Sequence, residues 1–260
     1  MWATTLSVAA DVLEKFSTTL SPDEKERANK FKFEKHRHRY LAGRGALRTI
    51  LAQYLDARAA DLRFDYLTNG KPAFAQAFAR AGIHFNLAHT EDLALIAVTR
   101  IGRLGVDVEC VRPVKNVDEL VARFFSEREN KLFQNVPNAQ KPSAFFNLWT
   151  RKEAMLKATG EGITRSLSLV EVSFLPGEPA KLLAIAGDAK AGARWKMWEL
   201  TPAVGFTGAV AIESGTSNAE PGTSNIQPPT SNIQLGEEVG LRCWKWTSNF
   251  EGSTKPQRCS

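Results

Sequence analysis

With 260 residues, 43% of them apolar and 24% charged, the chain has the composition of a soluble globular protein of one large or two medium domains. No apolar run reaches the length of a membrane span, and no basic region followed by an apolar segment opens the chain, so a cytoplasmic protein without membrane contact is expected. The formal charge is +6, and residues 212–260 hold four Lys/Arg against five Asp/Glu, so the basic character belongs to the body and points to an acidic or phosphorylated partner.

The first twenty residues form a mixed apolar segment that reads as an edge strand followed by a loop. Ser21-Pro22-Asp23-Glu24 is a helix start, with a cap, a proline at the first helical position and an acid three after the cap. From there to about Tyr54 the chain is strongly basic and reads as one long or two shorter helices. Phe31, Phe33, Tyr40, Leu47 and Ile50 supply apolar material, and Lys30, Lys32, Lys35, Arg37, Arg39, Arg44 and Arg48 supply cations. Those cations form either a solvated face or a grip for phosphate. Asn69-Gly70-Lys71-Pro72 is a tight-turn signal. Ile83 to Val98 then reads as a strand, a polar joint and a second strand or short helix. His89 lies in the joint, where a side chain either reaches a ligand or bonds to backbone.

Gly105-Val106-Asp107-Val108-Glu109 is a short strand that sets Asp107 and Glu109 on one face and the two valines on the other. Half-exposed strands also alternate in this way. Two neighbouring carboxylates nevertheless repel unless a cation lies between them. Cys110 reads as a packing residue, and with Cys243 and Cys259 it makes neither a disulfide framework nor a metal-ligand spacing. Val117 to Phe125 reads as a helix, and Ser126 caps the next one with Glu129 at the capping-box position. Ser143 is the expected cap of a third helix, whose Phe145, Phe146, Leu148 and Trp149 are core candidates.

That helix runs on through Trp149 to Gly162, WTRKEAMLKATGEG. Glu153 and Lys157 are four apart and share a face, Lys152 points elsewhere, and a glycine-rich turn closes the stretch. If this helix returns to the acidic strand, Asp107, Glu109 and Glu153 supply three hard oxygen ligands of the kind that suits Mg²⁺. Beyond it, Leu167–Phe174, Lys181–Ile185, Trp195–Leu200 and Gly205–Ile212 suggest a small antiparallel sheet. After Glu213 the composition breaks. Thr-Ser-Asn recurs at 216–218, 223–225 and 230–232 without an apolar stripe, so residues 214–260 are expected to be a low-complexity, disordered tail. Trp244, Trp246 and Phe250 in that tail have no evident partner segment.

Gly105-Val106-Asp107, followed further on by Trp149 through Lys157, resembles the two-part signature of the 4'-phosphopantetheinyl transferase superfamily, and specifically its surfactin-synthetase-type, two-lobed members. The likeness runs from about Leu20 to Glu213 and includes the Asn-Gly-Lys-Pro turn and the Phe-Asn-Leu-Ala-His segment. It implies an α/β (α+β) fold in which two similar lobes, each a small mostly antiparallel sheet packed with helices, are related by a pseudo-two-fold axis. The N-terminal lobe would span residues 1–103, the C-terminal lobe 104–213, and the active site would lie between them. It also implies a Mg²⁺-dependent transfer of the phosphopantetheine arm of coenzyme A to a serine of an apo acyl or peptidyl carrier protein, by a monomer that binds no nucleic acid. By resemblance, Asp107, Glu109 and Glu153 are the metal acids, Glu153 the base and Lys157 the partner of the phosphate. Arg44, Lys71 and His89, with Arg39 in addition, are the contacts to coenzyme A phosphates. Ala88 stands where the family usually has serine, which removes one hydroxyl from the phosphate wall. Two other readings stay open on the residues themselves: a Mg²⁺-dependent phosphate or nucleotide hydrolase, and a basic nucleic-acid-binding protein drawing on residues 30–48.

Overall fold

The computed structural model of the chain describes residues 1–67, 70–160 and 167–214, and the backbone of Trp244–Lys245 and Gln257–Arg258. Asn69, the Gly162 end of the glycine-rich turn, the Thr-Ser-Asn copies, Trp246 and Phe250 lie outside these residues.

The first lobe begins with β1 (Trp2–Thr5), followed by α1 (Ala10–Thr19), α2 (Pro22–Asn29) and α3 (Glu34–Leu55). The expected loop after β1 is thus a helix. Val12 and Phe16, four apart, are buried against α3. The helices approach closely at Gly45, where a Cβ would lie 2.3 Å from the Phe16 side chain. The basic segment resolves into two helices that break at Lys30–Phe33. A hairpin of β2 (Phe64–Tyr66) and β3 (Pro72–Phe74) carries the Gly70-Lys71-Pro72 turn, with Gly70 at φ 77°. After the single turn α4 (Gln76–Ala79), β4 (His84–Thr90) and β5 (Leu93–Thr99) form a second hairpin closed by Glu91 and Asp92. The three long strands run antiparallel in the order β1–β5–β4, and Leu47, Ile50 and Leu51 of α3 pack beneath them. β1 is not an edge strand, because Trp244–Lys245 pairs with it in parallel on its other side.

The second lobe repeats that plan with β6 (Leu104–Cys110), α5 (Val117–Phe124), α6 (Glu127–Gln134), α7 (Lys141–Thr159), the hairpin β7 (Val170–Val172) and β8 (Leu182–Ile185), α8 (Ala189–Ala193), β9 (Trp195–Leu200) and β10 (Phe206–Glu213). Its long strands are antiparallel in the order β6–β10–β9. The four C-terminal segments therefore do not make one sheet. β7 and β8 pair alone, whereas β9 and β10 join the acidic strand, because β10 is apolar on both faces and needs cover on each. Ala209 and Ala211 of β10 turn to α7, and Val210 and Ile212 turn to the other lobe. α7 starts at Lys141 and not after Ser143, since Pro142, with its preset φ, fits the first helical turn.

The duplication extends to a buried ion pair. α2 and α6 each open with a serine and a glutamate three residues on, Ser21/Glu24 and Ser126/Glu129. Each glutamate also receives a cation from the long helix of its lobe, Arg48 at 2.6 Å and Lys152 at 2.6 Å. Each cation donates in turn to carbonyls of the segment after that helix, Ala59 and Leu62 in one lobe and Leu167 and Val170 in the other. Eight residues past the cation, both helices end on a left-handed residue, Asp56 and Gly160. The two lobes meet through Ala88, Leu95 and Ala97 on one side and Val106, Val108 and Val210 on the other. Asn86 Oδ1 accepts the Val106 N–H at 2.8 Å across this junction.

Candidate active site

β6 meets α7 at Gly105. A Cβ there would lie 2.0 Å from the Ala154 carbonyl oxygen and 2.4 Å from the Ala158 nitrogen, so no other residue lets the helix backbone rest on the strand. Ala154 follows Glu153, and Gly105 shares a face with Asp107 and Glu109. This contact brings Glu153 and Lys157 over the acidic strand. Lys157 pairs with Asp107 Oδ1 at 2.6 Å and not with Glu153, its helix neighbour. It is the cation that the paired carboxylates call for.

Asp107 Oδ2 and Glu153 Oε1 are both buried without a hydrogen-bond donor. Burial pushes the Asp107 carboxyl up, the Lys157 charge and hydrogen bond oppose this, and Glu109 adds to the rise. Burial likewise pushes Glu153 up, and the negative charge of Asp107 adds to it. Lys157 opposes the rise, Glu109 reinforces it, and the result is about 7. Glu109 is half-buried, accepting from Thr90 Oγ1 at 3.2 Å and pairing with Arg112 at 3.5 Å.

Among the described residues, no three Asp, Glu, His or Cys side chains converge as they stand on a metal position. Of the expected triad, Asp107 and Glu109 are both near enough to Glu153 for their charges to raise its carboxyl. Lys157 takes one oxygen of Asp107, and Thr90 and Arg112 contact Glu109. The two undonated carboxylate oxygens are nevertheless hard ligands in want of positive charge, and this donor chemistry suits Mg²⁺.

Four residues are expected to contact the phosphates of coenzyme A. Lys71 is half-buried between the lobes, donating to the Leu104 carbonyl at 2.9 Å and the Lys157 carbonyl at 2.5 Å. Burial, and then the Lys157 charge, lower it to about 8. His89 lies within β4, not in a joint, because the turn comes at Glu91–Asp92. Its imidazole reaches the surface, yet partial desolvation, then Lys157 and Arg39, hold it below its ordinary value. Arg39 clasps that turn, donating to Asp92 at 2.8 Å and Glu91 at 3.2 Å. Arg44, expected as a further phosphate contact, lies on α3 among Glu24, Phe64 and Tyr66. It is 5% exposed, pairs with Glu24 at 3.0 Å, donates to the Tyr66 hydroxyl and lies over the Phe64 ring. These contacts hold the guanidinium within its lobe. Ala88, in the place of the family's serine, packs in the junction between lobes.

A cavity of about 410 Å³ opens beside Glu109, walled by Arg112, Val114, Phe124, Phe145 and Trp149. The aromatics of α7 thus serve both the core and this wall. Thr90 and Asn86 cannot be found from spacing, since each acts on a strand distant in sequence. Lys152 points away from the acids, as its place on the helix requires, and into its buried pair with Glu129.

The model of the 4'-phosphopantetheinyl transferase superfamily matches residues 103–211, and that of the N-terminal part of 4'-phosphopantetheinyl transferases matches residues 7–101. The 4'-phosphopantetheinyl transferase HetI of Nostoc sp. is 42% identical over 212 residues, 82% of this chain and 86% of its own. The 4'-phosphopantetheinyl transferase Sfp of Bacillus subtilis is 26% identical over 159 residues, 61% of this chain and 68% of its own. Among solved structures, the holo-[acyl-carrier-protein] synthase of Thermotoga maritima aligns over 44% of this chain and 64% of its own, at 23% identity and a TM-score of 0.34. The chain belongs to the 4'-phosphopantetheinyl transferase superfamily, in its two-lobed branch. Its reaction is the transfer of 4'-phosphopantetheine from coenzyme A to an apo carrier protein. No described helix is long and apolar enough to cross a membrane.

Proposed function

We propose that this transfer is carried out by Asp107, Glu153 and Lys157, with the phosphates of coenzyme A held along Lys71, His89 and Arg39. The observation that carries the reading is the pair of buried carboxylate oxygens without donors, Asp107 Oδ2 and Glu153 Oε1, on two acids that act on one another electrostatically and share the charge of Lys157. Mg²⁺ would be held by those oxygens, with Glu109 as the third acid of the same face. When bound, it supplies positive charge to the phosphoryl oxygens as the transfer proceeds.

The carrier serine oxygen forms a bond to the β-phosphorus of coenzyme A, the bond from that phosphorus to the bridging oxygen breaks, and 3',5'-ADP leaves. The serine hydroxyl is a weak nucleophile and must lose its proton. Glu153, set beside Asp107 and Lys157, is the carboxylate placed to accept it, directly or through one water. Lys157 supplies charge where the leaving phosphate develops it. The basic body favours encounter with an acidic carrier, and neither the hydrolase nor the nucleic-acid reading gains support from the relatives.

The test is mass spectrometry of a panel of apo carrier proteins incubated with the protein, coenzyme A and Mg²⁺. A gain of one phosphopantetheine on the carrier serine, lost with EDTA or with Glu153→Ala, supports the reading. An undiminished gain with Glu153→Ala rejects it.

A further inference from the structure

We propose that Lys152, through its buried pair with Glu129, is a positioning residue that sets where Glu153 stands above the acidic strand. The inference rests on the role given to Glu153. Lys152 is 0% exposed and Glu129 is 2% exposed, with 2.6 Å between them. The ammonium also donates to the Leu167 carbonyl at 2.6 Å and to the Val170 carbonyl. These three acceptors use all three of its N–H groups. Glu129 is equally committed, taking the Ser126 N–H at 3.0 Å and the Val172 N–H at 3.1 Å. One ion pair therefore ties α6, α7 and β7 together.

Successive residues of a helix stand about 100° apart, so a roll of α7 that moved Lys152 would swing Glu153 with it. The Gly105 contact fixes how close the helix lies to β6, and buried polar side chains hold its rotation: Asn147 and Arg151 bond to the Phe174, Ser173 and Glu178 carbonyls. Lys152 adds the anchor next to Glu153, with an ion pair and two carbonyls. The first lobe supplies the comparison. Arg48 makes the equivalent pair with Glu24, but the residue after it is Thr49, whose hydroxyl bonds back to the Gly45 carbonyl at 2.8 Å. The pair serves the fold in both lobes, and only in the second does it hold a neighbour with chemistry. An apolar pair can replace the charge–charge contact itself, but not the backbone groups that Lys152 and Glu129 also satisfy. What an apolar pair lacks is the directional hold of these hydrogen bonds.

The experiment compares Lys152→Met/Glu129→Leu, Lys152→Arg and Glu153→Gln with the unaltered protein, using coenzyme A, an apo carrier and Mg²⁺. Thermal melting, kcat, KM for coenzyme A and Mn²⁺ binding by electron paramagnetic resonance are read for each. The apolar pair also leaves the Ser126 and Val172 N–H groups and the Leu167 and Val170 carbonyls without these partners, so we expect a lowered melting temperature and, at a temperature where the variant is folded, kcat lower by about a hundredfold, KM within about threefold and weakened Mn²⁺ binding. Lys152→Arg, which copies the guanidinium that Arg48 provides in the first lobe, is expected to recover most of kcat. A folded apolar pair with unaltered kcat and Mn²⁺ binding, beside an inactive Glu153→Gln, overturns the positioning role alone. A fully active Glu153→Gln overturns the role of Glu153 and this inference together. If the double variant does not fold, Lys152→Met is assayed at a low temperature where its circular dichroism matches that of the unaltered protein. The same two outcomes then decide.

Discussion

Glu153 is a carboxyl kept from water on a helix, with a second acid opposite and no donor on one of its oxygens. Glu153→Gln preserves the shape and removes the base. We expect kcat to fall by about a hundredfold or more with KM for coenzyme A changed far less, as read from initial rates. The raised carboxyl has a further consequence for the metal-free protein. Its folded value of about 7 lies above the ordinary 4.5, so the folded state binds the proton more tightly than the unfolded state does. Stability from this group is complete below about 4.5 and is lost as pH rises through 7. The melting temperature should therefore decline across that window, and Glu153→Gln should flatten the decline. Asp107, also raised, contributes with the same sign. Asp107→Asn strips Lys157 of its partner and should cost roughly 3 kcal/mol of transition-state stabilisation, about a hundredfold in rate, together with weaker Mg²⁺ dependence.

Two contacts between elements set this geometry. At Gly105 the α7 backbone occupies the place of a side chain, so Gly105→Ala must part helix from strand. We expect a loss of about 1–3 kcal/mol in denaturant unfolding and a drop in kcat, because the acids separate as the packing opens. At the junction of the lobes, Asn86→Leu leaves the Val106 N–H buried without an acceptor. The expected cost is about 1–3 kcal/mol by the same measurement. Much at this scale is legible in the sequence. The starts of α2 and α6 are written in Ser21/Glu24 and Ser126/Glu129, and the Gly70-Lys71-Pro72 turn closes a hairpin as its residues require. The helix α1 is not legible, because a loop and a short amphipathic helix share that composition, and only Phe16 meeting Gly45 decides between them.

For the whole molecule, charge is the property most open to measurement. A body that carries the net positive charge should draw an acidic carrier by long-range attraction that salt screens. Raising the ionic strength from about 0.02 M to about 0.5 M should lower kcat/KM for such a carrier by roughly tenfold, while KM for coenzyme A, set in the cleft, responds less. The acids themselves are written in the chain: alternation puts Asp107 and Glu109 on one face, and helical spacing puts Glu153 and Lys157 on another. Their partners are not. Lys157 bonds to Asp107 and not to Glu153, Arg44 is enclosed by Glu24 and Tyr66, and the two lobes repeat each other without a visible sequence repeat. Local residues dictate how a segment coils and which face it offers, because backbone hydrogen bonding and side-chain period act over a few positions. Which faces then meet depends on close packing between segments far apart in the chain. A glycine that admits a helix backbone, or an arginine and a lysine that fill the same place in two lobes, shows its meaning only when the elements are in contact.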